Sequence, residues 1–395
     1  MKKKKIAILG STGSIGKNSL EIIKLNKKNF NIKLLSANSN YKEICNQIKL
    51  FKPIYFVITN YLVYIKVKSE FKNKRIKIYN NFKDIPSRLK FDITIAAIVG
   101  IAGLEPTIQF SKQSKKILLA NKESIICGWH ILSKIIKKNK TELIPIDSEH
   151  FSINQLTRNY TDSDIKKIYI TASGGPFLRR PLRSFKKIKP SAAYKHPNWN
   201  MGKKISIDSS NLMNKILELI EAHRLFSFNP IKYEIIIHPQ SLIHAIVIFK
   251  NGQSKFLYHE TDMKIPISNA IYNNRVDINK IIKTRKNFIK NLRNIKFENV
   301  DKKRFPIVTL AKEKYLSKSG PIILNASNEI LVNSFIKNKI PYNGIFETLK
   351  RVFKDRDFNK YAVKKVPNID EIYKIDYWAR NKTLEIISKN YEKYR

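Results

Sequence analysis

The sequence predicts an α/β protein in three parts: an N-terminal Rossmann-like doubly wound parallel sheet, a central α+β domain and a C-terminal helical bundle. Three patterns carry that expectation. Short apolar runs alternate with helical stretches in the first third, as a parallel sheet with helical crossovers requires. Strands then gather around one helix in the middle third. From Phe305 onward helical spacing dominates.

In the first part, strands are expected at Lys5–Leu9, Ile32–Ala37, Tyr55–Thr59, Asp92–Ile98, Lys116–Ala120 and Glu142–Ile146. Ser19–Leu25 and Tyr41–Phe51 between them carry apolar residues at helical spacing. The middle part opens with a strand at Lys167–Thr171 and a turn at Gly174, Gly175 and Pro176. A helix from Leu212 to Phe226 follows, then strands at Tyr233–His238, Ser241–Lys250 and Gln253–His259, expected to be antiparallel. Residues 273–299 are polar and lysine-rich, which reads as a linker. Beyond it Val308, Leu310 and Ala311, then Ile330, Leu331, Phe335 and Ile336, repeat at helical spacing. The expected divisions are 1–147, 148–272, a linker at 273–300, and 301–395.

At 395 residues the chain is too long for one ordinary core. Its 43% hydrophobic residues suffice for a globular fold despite 27% charged ones. Cys45 and Cys127 are too few for a disulfide scaffold or a cysteine-rich zinc site, which fits a reducing, cytoplasmic setting. The basic start followed by Ile6–Leu9 imitates a signal peptide, but Gly10 cuts the apolar run too early. No segment reaches the roughly 18 apolar residues of a membrane span, so a soluble protein is expected. The formal charge of +45 points towards nucleic acid by its size alone. Lysine is spread over the whole length beside much isoleucine and asparagine, with no arginine-rich arm and no zinc finger. That reads as compositional drift, leaving nonspecific attraction to polyanions and no specific nucleic-acid partner.

Gly10, Gly13 and Gly16 follow the first strand directly and open a helix. Such a turn brings backbone close to a pyrophosphate, and the helix N-terminus presents free N–H groups to it. The spacing GxxGxxG is less common than GxGxxG, so position makes the argument for a dinucleotide. At the second strand end, Asn38, Ser39 and Asn40 include no carboxylate to hold a ribose 2′-hydroxyl. Small polar donors in a basic surround favour NADP over NAD, while an ordinary polar loop also fits.

Asp147 and Glu149 stand one residue apart where the strand Glu142–Ile146 runs out. A continuing strand would put both carboxylates on one face, an arrangement that a divalent cation relieves. Solvated strand-end acids fit the same pattern. Lys122 lies at another strand end, on the edge where ligands of open α/β sheets bind. The loop from Ser173 to Pro176 could bring amides and a hydroxyl to an anion, or be merely a turn. Asp208 to Asn211 precede the helix from Leu212 and read as an N-cap compatible with a phosphate site. On that helix Lys215 and Glu218 share a face with Asn214 nearby. They are either a surface pair or a phosphate contact and a third metal ligand. Between His196 and Gly202, Trp199 sits in a polar loop that suits a water-excluding lid.

Taken together, Gly10–Gly16, Ala96–Gly100, Leu118–Ser124, Pro145–His150, Ser173–Phe177, His196–Gly202, Met213–Lys215, Leu217–Glu218, His238–Ser241 and Asn325–Glu329 carry a resemblance. In that order and combination the chain resembles the 1-deoxy-D-xylulose 5-phosphate reductoisomerase family of the non-mevalonate isoprenoid route. The resemblance implies a V-shaped homodimer in which 1–147 binds NADPH, 148–272 is catalytic and dimer-forming, and 301–395 is helical. It implies Mg²⁺ or Mn²⁺, with Co²⁺ a further candidate, on Asp147, Glu149 and Glu218. It places a small phosphorylated sugar on Ser173, Ser209, Asn214 and Lys215, with Ser148, Glu149, Lys122 and Glu218 at its reacting end. His196, Trp199 and Met201 would form the lid, His196 also touching substrate. Thr12, Gly13, Ser14, Ile15, Asn121, Glu123 and Gly202 would meet the cofactor, beside Asn38, Ser39 and Asn40.

Three residues depart from the family pattern: Asn38 for a glycine, Arg224 for an aromatic and Asn211 for a threonine. No expected ligand is missing, so an active enzyme is expected. Two alternatives stay in view. One is an NADPH-dependent dehydrogenase without metal or isomerisation; the other is a nucleic-acid binder on an idle enzyme fold.

Overall fold

The computed structural model describes residues 3–199, 201–282, 288–311, 316, 318–362 and 366–391. Asn200 of the expected lid loop and residues 283–287 of the expected linker lie outside the described residues. The chain forms two compact units. One comprises Met1–Ser124, Trp129–Phe151 and Asp262–Arg285; the other comprises Ile125–Gly128, Ser152–Thr261 and Lys286–Arg395.

The first unit is built on strands β1 (Lys4–Leu9), β2 (Phe30–Ala37), β3 (Tyr55–Ile58), β4 (Lys77–Tyr79), β5 (Phe91–Ala96), β6 (Ser114–Leu119) and β7 (Glu142–Pro145). They pair in parallel in the order β4-β3-β2-β1-β5-β6-β7. The order reverses between β1 and β5, which opens a crevice at their carboxyl ends. The turn from Gly10 to Gly16 leaves β1 at that point. β4 is not among the sequence-predicted strands: with three residues and no buried side chain, it shows no apolar periodicity.

Helix Lys264–Tyr272, which local sequence groups with the central part, belongs to the first unit. Its Ile267, Ala270 and Ile271 are buried in one core with Ile6, Ile8, Ile22 and Ile95. Lys264 reaches Glu21 at 2.6 Å, and Lys116 Nζ donates to Asn273 Oδ1 at 2.5 Å. An apolar helix face does not encode which sheet it will cover, so sequence order misplaces this segment.

The second unit has a four-stranded sheet of β8 (Ile165–Ala172), β9 (Tyr233–Ile237), β10 (Ile243–Phe249) and β11 (Ser254–Tyr258), ordered β11-β10-β8-β9. β10 is antiparallel to β8 and β11, as expected, but β9 is parallel to β8. Helix Met213–Leu225 lies between β8 and β9 in the chain and supplies the crossover that a parallel pair needs. Its Leu219 and Ala222 pack with Ile168, Ile170, Tyr233 and Val247. Part of the expected linker is folded: Glu298 and Ile237 exchange backbone hydrogen bonds at 2.9 Å. The C-terminal region is helical, with Gly320–Ile336, Tyr342–Phe353, Phe358–Ala362 and Ile369–Asn390. Arg380 ties two of these helices by bridging Asp376 and Glu329.

Helix Met213–Leu225 also carries His223, whose ring meets Tyr233 edge-on at 5.1 Å. Loss of hydration pushes its pKa down from 6.5 to about 4. His244, stacked 3.9 Å from His259, is lowered well below the usual value by burial and by that second ring. Unfolded imidazoles protonate near 6.5, so between there and about 4 the unfolded chain binds more protons than the folded one. Stability is therefore expected to fall as pH drops through that window, above the range where lowered carboxylates such as Glu385 titrate. Urea denaturation at pH 7 and pH 5 checks this. His223→Gln should show a smaller loss between the two pH values than the wild type.

Candidate active site

In the first unit the glycine turn is held by packing that admits no side chain. Gly10 has φ +84°, and a Cβ there would lie 2.7 Å from Ala97 O. A Cβ on Gly16 would lie 2.4 Å from Gly10 O. Ser11, buried, is pinned by Gln47 Oε1 at 2.6 Å and Ser36 O at 3.0 Å. Helix Ser14–Leu25 then begins with Gly13 at its cap position and no side chain capping it. Thr12 is half-buried, Gly13 and Ser14 are exposed, and Ile15 packs against the core. The arrangement fits a pyrophosphate: amides at an open helix start, on a turn whose Gly10 and Gly16 leave no room for a side chain.

Asn38, Ser39 and Asn40 are all exposed at the end of β2. Asn40 caps helix Tyr41–Phe51 through Glu43 N at 3.2 Å. Asn38 is not among the residues with positive φ, so the chain does not need a glycine there. Asn121 is buried and does three things at once. Its Oδ1 caps helix Lys122–Asn139 at Ser124 N, 2.8 Å, while Nδ2 donates to Ile98 O at 2.6 Å and Glu123 Oε2 at 2.9 Å.

The strand expected to continue through Asp147 does not. β7 ends at Pro145 and helix Ser148–Thr157 begins at once, placing Glu149 in its first turn. Asp147 itself starts the helix: its carbonyl accepts from Phe151 N at 2.8 Å and its Oδ1 from Glu149 N at 3.3 Å. The two carboxylates still converge, with oxygens within 4.8 Å of each other. Lys122 Nζ stands 3.5 Å from Asp147 Oδ2, and Ser148 Oγ donates to Glu149 Oε2. His150, fully buried, lies 3.1 Å from Asp147 Oδ1. Strand-based reasoning missed His150; the spacing of three from Asp147 becomes a signal only once the segment is read as a helix.

In the second unit Lys215 and Glu218 are no surface pair. Their side chains are 7% and 1% exposed, and Lys215 Nζ lies 2.6 Å from Glu218 Oε2. Asn214 Nδ2 donates to the other oxygen, Glu218 Oε1. The stretch from Asp208 to Asn211 is not a cap preceding this helix. It ends helix Lys203–Ser210, while Leu212 (φ +66°) occupies the cap position and Asn211 Oδ1 accepts from Met213 N. Two short helices meeting at a left-handed residue look, in sequence, like a polar cap. Ser209 sits in the last turn of the first of them.

Ser173 Oγ accepts from Gly175 N at 3.0 Å and lies 2.8 Å from His196 Nε2. His196 Nδ1 accepts from the amides of Asn198 at 3.1 Å and Trp199 at 3.0 Å. Burial, with Lys215 nearby, pushes the His196 pKa down to about 4, so the ring is neutral and its proton sits on Nε2. The loop expected to form a lid is fastened by Asn198 Nδ2 to Pro239 O at 2.6 Å and Ser241 Oγ at 3.1 Å. Trp199 meets His244 edge-on at 5.9 Å; Met201 is half-buried and Gly202 exposed, with open space where a Cβ would be. Arg224 turns inward: its guanidinium donates to Ile125 O at 2.5 Å and to Ile126 O.

An open dinucleotide turn on a doubly wound sheet, with carboxylates each met by a lysine or hydroxyl, defines a nucleotide-linked oxidoreductase suited to a hard cation. Three family models extend this, all of 1-deoxy-D-xylulose 5-phosphate reductoisomerase: one matches residues 6–128 and two C-terminal-domain models match 143–226 and 259–382. The chain belongs to the 1-deoxy-D-xylulose 5-phosphate reductoisomerase family. It is 45% identical to the family enzyme of Pelagibacter ubique (strain HTCC1062), over 94% of this chain and 97% of that one. Identity to the enzyme of Wolbachia pipientis wMel is 39%, over 95% and 96%. Among solved structures, the Zymomonas mobilis enzyme in complex with NADPH matches with TM-score 0.88 and 31% identity, covering 98% and 99% of the chains. A reductoisomerase in complex with NADPH, fosmidomycin and magnesium matches with TM-score 0.90 and 31% identity, covering 98% of each.

The glycine turn yields a paired prediction. Gly16→Ala places a methyl group against backbone and is expected to weaken NADPH binding by at least about tenfold and lower the melting temperature. Gly13→Ala meets nothing closer than 3.5 Å within the protein and should keep the melting temperature near wild type. Fluorescence titration with NADPH and thermal melts of the two variants check it.

Proposed function

We propose that the chain converts 1-deoxy-D-xylulose 5-phosphate to 2-C-methyl-D-erythritol 4-phosphate by C–C rearrangement and hydride reduction, using the residues assembled above. Asp147, Glu149 and Glu218 hold Mg²⁺ or Mn²⁺; Thr12 to Ile15, Asn38 to Asn40, Asn121, Glu123 and Gly202 receive NADPH. The observation that carries the reading is Glu218. A carboxylate 1% exposed, beside a lysine and an amide, is an expensive arrangement that a purely structural helix does not need. Hard oxygen donors of this kind suit magnesium, the ion in the similar structure with fosmidomycin.

When bound, the divalent ion supplies charge to the substrate's carbonyl and hydroxyl oxygens and NADPH supplies the hydride. The rest falls to the chain's own side chains. Ser173 Oγ already accepts two hydrogen bonds, from Gly175 N and His196, so its own proton is left to donate to a phosphate oxygen. Lys215 and Asn214 add charge and a donor to the phosphate once Glu218 is otherwise neutralised. Lys122 and Ser148 face the hydroxyl-bearing carbons. His196 stays neutral and positions Ser173, while Trp199 and Met201 close over the substrate and exclude water. Phosphate contacts remote from the reacting carbons orient the substrate for the rearrangement.

The same reading makes residues 1–147, joined by helix Lys264–Tyr272, the cofactor-binding part, the rest of 148–272 the catalytic and dimer-forming part and 301–395 a helical region. A homodimer is supported by β11, which lies at the edge of its sheet with Phe256 half exposed. A cytoplasmic setting fits a chain in which no described helix is long and apolar enough to cross a membrane.

The test is NADPH consumption with 1-deoxy-D-xylulose 5-phosphate. Excess EDTA is expected to abolish turnover and Mn²⁺ to restore it; full activity after chelation would remove the metal assignment. Glu218→Gln should lower kcat by about 100-fold or more at low metal while circular dichroism stays native. Lys215→Ala should act mainly on KM for the sugar phosphate, raising it about tenfold or more, because a phosphate contact is made before and during the reaction alike. An unchanged KM would return Lys215 to a role in charge balance alone.

A further inference from the structure

We propose that Asn328 and Tyr342 are positioning residues for the substrate phosphate, acting through Asp208 and Ser210, the two neighbours of Ser209. The proposal rests on the reading that Ser209 takes the phosphate together with Ser173, Asn214 and Lys215. All these residues belong to the second unit.

Helix Lys203–Ser210 begins at Gly202, where the lid loop ends, and finishes at Ser209 and Ser210. Its last turn is fixed on both sides of Ser209. Asp208, with its side chain 2% exposed, is held by Lys204 at 2.9 Å and by the Asn328 amide, whose Nδ2 donates to Oδ1 at 2.8 Å. Lys204 meets the charge; the neutral amide adds only direction. Ser210 is fully buried and gives its single proton to Ile207 O at 2.7 Å. At 3.0 Å from Ser210 Oγ, the Tyr342 hydroxyl is therefore the donor of that second bond. The Tyr342 ring is itself caged edge-on by Phe177 at 5.2 Å, Phe335 at 5.6 Å and Phe185 at 5.9 Å.

The two pins come from different helices, Gly320–Ile336 and Tyr342–Phe353, which follow Ser209 by more than a hundred residues in the chain. From the other side, the Ser173 loop rests on the same helix end. A Cβ on Gly175 would lie 2.7 Å from Ser210 Cα and 2.9 Å from Ser209 O. Ser173 and Ser209 are thus brought together by backbone contact, and the distance between them is set by whatever holds Ser210. Neither Asn328 nor Tyr342 needs to touch the substrate for this.

A merely structural role would lower stability and damage every kinetic parameter. A positioning role damages only what the phosphate contributes. Tyr342→Phe removes one hydroxyl and keeps the caged ring; Asn328→Ala removes the amide. With NADPH and Mn²⁺ present, each variant is expected to raise KM for 1-deoxy-D-xylulose 5-phosphate about tenfold with kcat little changed. The inhibition constant for inorganic phosphate should rise in parallel. KM for NADPH and turnover of 1-deoxy-D-xylulose, which lacks the phosphate, should stay at wild type. Equal losses on both substrates, or no change on either, would overturn the proposal. If Asn328→Ala does not fold, Tyr342→Phe decides alone. Ser209→Ala separates the underlying reading: wild-type KM and phosphate inhibition there would remove Ser209 from the phosphate site, and the proposal with it. Raised values in Ser209→Ala with none in Tyr342→Phe and Asn328→Ala would refute only the positioning role.

Discussion

A carboxylate taken out of water has to be met by positive charge or by donors, and Glu218 shows how much of this molecule follows from that. It is 1% exposed, with Lys215 on one oxygen and Asn214 on the other. Helix Met213–Leu225 supplies all three from nearby positions, and Leu219 and Ala222, each one turn on from Lys215 and Glu218, are buried in the core of the second sheet. The helix therefore has no freedom to rotate: turning the charged face outwards would expose Leu219 and Ala222. The first unit repeats the logic with Asp147, which is met by Lys122, His150 and the amide of Glu149. Both sets of charges are already compensated in the protein alone. That offsets the cost of taking the carboxylates out of water and leaves a lysine beside each of them.

Hydrogen bonding does comparable work where there is no charge. Asn121 caps a helix, tethers the loop at Ile98 and Gly100 and orients Glu123, all from one buried amide. His196 is held in one tautomer by two backbone amides, which in turn decides that Ser173 receives rather than gives a proton at that contact. Neutral groups with fixed donor direction are suited to orienting a substrate because they need no counter-charge.

The charge of +45 plays no part in any of these contacts. Most of the excess lysines are exposed, and the charged groups that matter, Lys122, Lys204 and Lys215, are each paired with a carboxylate at 3.5 Å or less. The excess contributes self-repulsion and a general attraction to polyanions, both of which salt screens.

Local order in the chain was enough for the architecture and for most residues of the candidate site. Strand–helix alternation announces a parallel sheet because each crossover must be helical. The glycines of the first turn are legible because backbone that approaches backbone admits no side chain, as Gly10 and Gly16 show. The family resemblance likewise lies in short runs whose order the sequence displays. What sequence alone could not decide was how distant segments meet. It carried a strand through Asp147, where an N-cap turns the chain into a helix, and read the end of helix Lys203–Ser210 as a cap. It grouped residues 262–272 with the central part, whereas they pack in the first unit, and left open whether Lys215 and Glu218 were buried. The reason is common to all four. Periodicity and residue type report what a segment prefers locally, whereas burial, the partner of a helix face and the bonds of Asp208 and Ser210 to Asn328 and Tyr342 depend on contacts between residues far apart in the chain, which exist only once it has folded.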